Sequence, residues 1–339
     1  MKNVIVLIMC AASVAAGAAE TPLWLRNPAI SPDGKTIAFS YKGDIYTVPS
    51  TGGTAKQITT NAAYDSDPVW SPDGSNIAFA SDRAGGLDVY VTSADGGAPM
   101  RITTHSAKER PMSYLNADTV LVMASIQPSM TDRQFPGNTY PQVYAVPLTG
   151  GRPVMYSALS MEQVSVNPVD GRVLYTDKKG YEDAMRKHHT SSVTRDVWMA
   201  DRGKHTKMTT YKGENRNGVW ASGGKDFYYL SEEDGTFNVY KRSMATGATT
   251  QLTKHTMHPV RSLTAANDGT MSYSWNGELY TLKEGGEPQR VDVVINGDVT
   301  ERDVVNQLRS SGATDIAVSP DGKEVAFVVR GDVYVANVE

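Results

Sequence analysis

Seven basic side chains crowd the stretch "DKKGYEDAMRKHHTSSVTRD": Lys178, Lys179, Arg186, Lys187, His188, His189 and Arg195, in a chain whose formal net charge is -4. Cations at this density can pair with a carboxylate, and arginine does so through a forked, two-bonded geometry. The chemistry they suggest is capture of the C-terminal carboxylate of a peptide. A charge run is also the ordinary make-up of a solvated surface loop. A second long stretch, "SIQPSMTDRQFPGNTYPQ", carries Arg133 beside Asp132. Bond-breaking chemistry has no comparable candidates, since GxSxG, HExxH and GxGxxG motifs are absent and the single cysteine, Cys10, lies in an apolar leader. His255 and His258 stand three residues apart with no acidic residue in the local run, whereas zinc sites normally assemble more ligands than a pair. They are expected in a polar loop, with no metal and no cofactor.

The elements that must position these loops are repeated along the chain. A polar residue, an apolar residue and an aromatic recur as "DIYTV" at Asp44, "DVYVT" at Asp88, "QVYAV" at Gln142, "DVWMA" at Asp196, "NVYKR" at Asn238, "ELYTL" at Glu278 and "DVYVA" at Asp332. Steps of 40 to 54 residues between copies match one four-stranded propeller blade with variable loops. Within a copy, an apolar strand ends in Ser-Pro-Asp-Gly, then come a strand such as "TIAFS", the aromatic third strand and a fourth such as "AKQIT". In the Ser-Pro-Asp-Gly turn, Pro presets φ, Asp bonds its own backbone and Gly takes the positive φ of a tight hairpin. Gly pairs such as Gly52-Gly53 and Gly96-Gly97 turn strand three into strand four. The two long stretches fall between strands two and three of the third and fourth copies, where loops on a rigid scaffold tend to bind ligands.

The fold class is therefore all-β: a β-propeller of six four-stranded blades plus a partial extra blade. The seventh copy has three strands, and it either completes a seven-bladed ring with a strand lent by the N-terminus or begins another domain. "PLWLRNPAIS" already fits the first strand of blade one, and "VINGDVTERDVVNQLRSSGATD" is longer than the other junctions, so the second arrangement is expected. Repetition also bears on function. An Asp that recurs once per blade, as Asp44, Asp88, Asp196 and Asp332 do, has a strand-start role rather than an acid-base one, because a catalytic pair needs two unlike environments. The aromatics Tyr46, Tyr90, Tyr144, Trp198, Tyr240, Tyr280 and Tyr334 are expected to pack between blades.

The first residues, "MKNVIVLIMCAASVAAGAAETP", read as a secretory signal peptide cleaved after Ala18 or Ala19, which would remove Cys10 and leave no disulfide. The boundaries expected are a signal peptide over 1–19, a propeller over 20–300, a linker over 301–314 and first strands of a further blade over 315–339. The product would be exported, to the periplasm or beyond, with no later membrane span. A pI near 5.9 argues against a nucleic-acid partner.

From Pro22 to Thr59 the chain resembles the start of the first propeller of tricorn-type serine peptidases, and "IAVSPDGKEVAFVVRGDVYVANV" resembles the entry into their second. The resemblance implies a non-catalytic N-terminal module that binds or gates peptides for proteolysis, with PDZ-like and peptidase domains elsewhere in the protein. Tricorn-type enzymes use a basic pair in the first propeller to hold peptide ends. Only Arg133 carries over, since Asp132 holds the neighbouring place. Arg186, Lys187, His188 and His189 complete the candidate peptide-binding set. TolB-like periplasmic propellers share the "SPDG" and "DIY" motifs and imply an alternative, a free-standing propeller that binds other proteins. They carry a small α/β domain ahead of the propeller, whereas this chain passes from leader directly into blade one.

Overall fold

The computed structural model of the chain describes residues 22–126, 140–181, 190–296 and 311–338. Six four-stranded sheets follow one another, each an antiparallel meander in chain order, and a three-stranded sheet comes last. The first strands of the six blades are Arg26–Ile30, Asp65–Trp70, Glu109–Asn116, Met161–Val166, Asn215–Trp220 and Arg261–Ala265. Each packs against the first strands of the two neighbouring blades, and that of blade six packs against that of blade one, so the first strands surround the central axis. The third strands are Asp44–Pro49, Asp88–Ser93, Gln142–Pro147, Val197–Asp201, Asn238–Ser243 and Glu278–Leu282.

The core is divided among the blade junctions, and six apolar clusters account for six junctions. Ile45 and Ile58 of blade one meet Phe79 and Tyr90 of blade two. Val89 and Ile102 meet Val120 and Tyr144, Leu121 and Val143 meet Met161 and Tyr175, and Val197 and Met208 meet Phe227 and Tyr240. Leu230 and Val239 then meet Met271 and Tyr273, and Leu279 and Val291 of blade six meet Phe39 and Tyr46 of blade one. The last cluster closes the ring at six blades. Burying each of these side chains stabilises by roughly 1.5–3 kcal/mol. Because every blade is covered on both sides, the second strands are buried along nearly their whole length, as in Asn76–Ser81, rather than on alternate residues. The motif aromatics have a further role: Phe39 stacks on Tyr46 and Phe79 on Tyr90, each pair directly opposed across strands two and three.

The turns follow the chemistry expected of them. Ser31 Oγ donates to Asp33 Oδ1 (2.6 Å), which accepts from Lys35 N, while Gly34 sits at φ 75°. Ser71–Asp73 and Ser319–Asp321 repeat the first contact at 2.6 Å. After blade six, Val293–Val294 pairs in parallel with Gly53–Thr54 beside blade one and ties the end of the ring to its beginning.

The seventh sheet, Ala313–Val318, Glu324–Val329 and Asp332–Asn337, stands outside the ring. The turn between its last two strands touches blades one and two. Arg26 Nη2 donates to the Gly331 carbonyl (2.8 Å), Arg330 reaches Asp82 (3.0 Å), and the Arg330 guanidinium lies over the Tyr64 ring.

Candidate functional site

Five first strands break register once near their start, and that of blade three breaks twice, between Pro111 and Ser113 and between Tyr114 and Asn116. In five blades the bulged residue has positive φ: Asn27 (50°), Asp67 (55°), Gln163 (51°), Asn217 (55°) and Ser262 (53°). A bulge of this kind bends the strand and re-aims its side chains. The residues just before it in those five blades, and Arg110 one residue further from the break in blade three, occupy equivalent register positions, opposite Ser40, Ala80, Met123, Thr176, Leu230 and Ser274. They are Arg26, Ser66, Arg110, Glu162, Arg216 and Arg261, so four blades of six present an arginine to one ring.

Polar contacts run from blade to blade around this ring. Asn27 Nδ2 donates to Asp67 Oδ1 (2.7 Å), and Arg110 holds the other oxygen of the same carboxylate. Arg195 donates to Glu162 (2.9 Å) and to Glu214 (3.4 Å), and Glu214 also pairs with Arg216. Lys178 lies 3.4 Å from Glu162. Asn217 exchanges two hydrogen bonds with the backbone of Leu263 and receives Gln163 and Thr176 oxygens on its own N–H. Burial pulls the Arg216 guanidinium below its usual value, with Glu214 opposing. Arginine nonetheless remains charged at any physiological pH. Among the six equivalent positions stand four arginines and one carboxylate, Glu162.

The recurrent Asp has a structural part that explains its repetition. A threonine two residues beyond strand four accepts from the N–H that follows the motif residue: Ile45 N to Thr59, Val89 N to Thr103, Val197 N to Thr209 and Val239 N to Thr253, at 2.8–3.2 Å. The hydroxyl then donates to Asp44, Asp196 or Asn238. The strand-start role is therefore found. Sequence reading passed over the partner, although "QIT", "RIT", "KMT" and "QLT" repeat it in four blades.

Residues 22–287 match the family described as the tricorn protease N-terminal beta propeller domain. The chain belongs to that family. Tricorn protease homolog 1 of Streptomyces coelicolor is 28% identical over 327 residues, which cover 92% of this chain and 29% of that protein. The chain thus spans under a third of that relative's length. The TolB protein of the Tol-Pal system of Bordetella pertussis is 44% identical over 54 residues, 16% of the chain and 12% of that protein. Among solved structures, the tricorn protease superposes with a TM-score of 0.66 at 20% identity, covering 94% of this chain and 30% of its own. TolB of Acinetobacter baumannii follows with 0.59 at 17% identity, covering 75% and 62%. At these identities the two superpositions speak for the fold.

In this tricorn-family propeller the loop residues singled out from sequence, Arg133, Arg186, Lys187, His188 and His189, lie outside the described residues, as does Cys10. The flanks of the basic run are described and are engaged within the blade. Lys179 bonds Asp196 (2.9 Å) and lies 3.3 Å from Asp177, while Arg195 belongs to the ring network. His255 stacks on Trp275 at 4.4 Å between ring centres and bonds the Tyr273 hydroxyl through Nε2 (2.9 Å). Burial lowers its pKa. His258 instead packs edge-on to Trp275, and among the described residues no group of three or more metal-ligating side chains forms. The arginine ring was the feature missed. Its members sit one per blade, and only alignment on the first strand, instead of the aromatic third, would have brought them together.

Proposed function

We propose that this chain is the non-catalytic N-terminal propeller module of a longer, exported, tricorn-like serine peptidase, and that it holds or admits peptides along its central axis. The observation that carries the reading is the ring of Arg26, Arg110, Arg216 and Arg261 at one register position of the inner strands. Preorganised guanidinium groups there suit the carboxylates of peptides, and their partial neutralisation by Asp67, Glu162 and Glu214 suits release as well as capture. Family membership supports the peptidase context. The leader over 1–19 supports export, and the division into a propeller over 20–300, a linker over 301–314 and a further unit from 315 belongs to the same reading. The residues Arg133, Arg186, Lys187, His188 and His189 supply a second set of peptide contacts in this scheme.

The test is fluorescence anisotropy with a labelled acidic hexapeptide bearing a free C-terminus. Arg26→Gln combined with Arg261→Gln is expected to weaken binding about tenfold or more, the loss of one to two charge-assisted hydrogen bonds. Arg133→Ala and Arg186→Ala are expected to weaken it less. Equal affinity for the wild type and the ring variant would remove the ring from the proposal.

A further inference from the structure

Exposed apolar side chains gather around one turn at the junction of blades six and one. Trp24 is 67% exposed and Met257 73%. The backbone at Trp24 lies against the turn at Asn276 and Gly277: Leu25 N donates to the Gly277 carbonyl (3.0 Å), and a Cβ on Gly277 would stand 3.1 Å from Trp24 N and 4.0 Å from Trp24 Cδ2. Trp275 ends the second strand of blade six, Met271–Trp275, just before that turn. Its Nε1 donates to the carbonyl of His258 (2.9 Å), the residue after Met257. The Trp275 ring also stacks on His255 at 4.4 Å and meets Tyr280 edge-on at 5.8 Å, which fixes the indole in place.

Comparison among the blades shows that the fold does not require aromatics at these places. Two residues before the ring position stand Trp24 in blade one and Tyr64, Lys108, Ser160, Glu214 and Pro259 in the others. After the partner of the ring residue on strand two stand Trp275 in blade six and Tyr41, Ser81, Ala124, Asp177 and Ser231 in the others. Trp24 moreover takes φ 66°, a left-handed backbone rare for a bulky residue, and such outliers cluster at ligand sites. Two ring arginines belong to the same junction. Arg26 is two residues after Trp24, and Arg261 opposes Ser274, the neighbour of Trp275. Arg26 gives the Gly331 carbonyl one of the five N–H groups that a guanidinium carries.

We infer that Trp24, Trp275 and Met257 form an apolar subsite beside Arg26 and Arg261, which selects peptides whose last residue is large and apolar, such as phenylalanine or leucine. The inference rests on the reading of the ring as a carboxylate site and names the class of peptide it takes. A C-terminal residue carries its carboxylate and its side chain on one Cα, so a peptide end brings both to adjoining cationic and apolar surfaces. That pairing of charge with apolar contact favours a peptide end over a lipid surface. The indoles supply rigid ring contacts, and the methionine thioether adapts to the side chain that enters.

The test is fluorescence anisotropy of the full chain with four hexapeptides labelled at the N-terminus. They end in phenylalanine or alanine, each as the free acid and as the amide. The free acid ending in phenylalanine is expected to bind about tenfold tighter than the one ending in alanine, the order expected for burying a phenylalanine side chain. Trp24→Ala, at an exposed position, should weaken the phenylalanine peptide far more than the alanine peptide, while Trp24→Phe keeps most of the preference. Equal binding of the two free acids, or a preference that survives both Trp24→Ala and Met257→Ser, overturns the inference. A phenylalanine preference that depends on Trp24 but is equal for acids and amides supports the subsite and overturns the carboxylate reading of the ring. An advantage of acids over amides without any phenylalanine preference keeps the ring and overturns the subsite. Binding to phosphatidylcholine vesicles that is lost in Trp24→Ala, again without that preference, assigns the surface to a membrane and overturns the inference.

Discussion

Glu109 should make the stability of the ring fall as pH rises through neutrality. It starts the first strand of blade three, fully buried against the fully buried Asp88 of blade two. Asp88 is held by Arg101 (2.9 Å), and Glu109 accepts from His105 N (3.3 Å). Burial chiefly, with the Asp88 charge adding and the Thr103 hydroxyl opposing, raises the Glu109 carboxyl from its ordinary 4.5 to about 7. Because the folded-state value lies above the unfolded one, the folded protein binds this proton more tightly. The contribution is complete below about pH 4.5 and is lost as pH rises through about 7. At about 1.4 kcal/mol per pH unit, the interval corresponds to roughly 3 kcal/mol. Glu109→Gln keeps the shape and removes the titration, and blade five already places an amide, Asn215, at the same register position. Urea unfolding of both proteins at pH 5, 6, 7 and 8 is the assay. The variant should match the wild type within about 1 kcal/mol at pH 5 and exceed it by about 2–3 kcal/mol at pH 8. Parallel pH profiles for the two proteins would refute the reasoning.

Three further sets of substitutions probe the propeller. Thr253→Val removes the hydroxyl that accepts from Val239 N (2.9 Å) and donates to Asn238 (2.8 Å), so unfolding free energy should drop about 1–3 kcal/mol, with Thr253→Ser recovering most of it. Gly52 sits at φ 91° with the Asp292 carbonyl 2.9 Å from where a Cβ would stand, whereas Gly96 at φ 87° meets nothing closer than 3.8 Å. Thermal melts should show Gly52→Ala losing more than Gly96→Ala, whose backbone strain alone is about 1–3 kcal/mol. Arg83 makes two bonds to the buried Asp65 (2.8 and 3.0 Å) and covers the Tyr90 ring. Arg83→Met should cost about 3 kcal/mol at neutral pH by stranding that carboxylate, and adding Asp65→Asn should restore a large part in the double-mutant cycle.

The blade repeat was legible because its signals are short and contiguous. The Ser-Pro-Asp-Gly turn and the Asp-aliphatic-Tyr third strand each fit in a few residues, and the equivalent turn persists even where "SGGKD" folds as a 3-10 turn at Ser222–Gly224. Closure at six blades rests instead on contacts between the two ends of the ring, such as Leu279 on Phe39, which no local pattern announces. The site was less legible for a related reason. Charge density drew attention to the loop holding Arg186 to His189, where cations are neighbours in sequence. Arg26, Arg110, Arg216 and Arg261 lie far apart in sequence and share only an equivalent register position on the first strands of four blades. The repeated Asp was legible as structural, but its threonine partner lies two residues past a fourth strand of two to four residues, too short to show alternation.

The most direct measurement is the affinity of the wild-type chain for one acidic hexapeptide prepared with a free and with an amidated C-terminus, at low and at physiological salt. A ring of guanidinium groups that holds peptide carboxylates predicts tighter binding of the free acid by about tenfold, shrinking as salt rises. Equal binding of the two peptides, or no binding of either, would contradict the account.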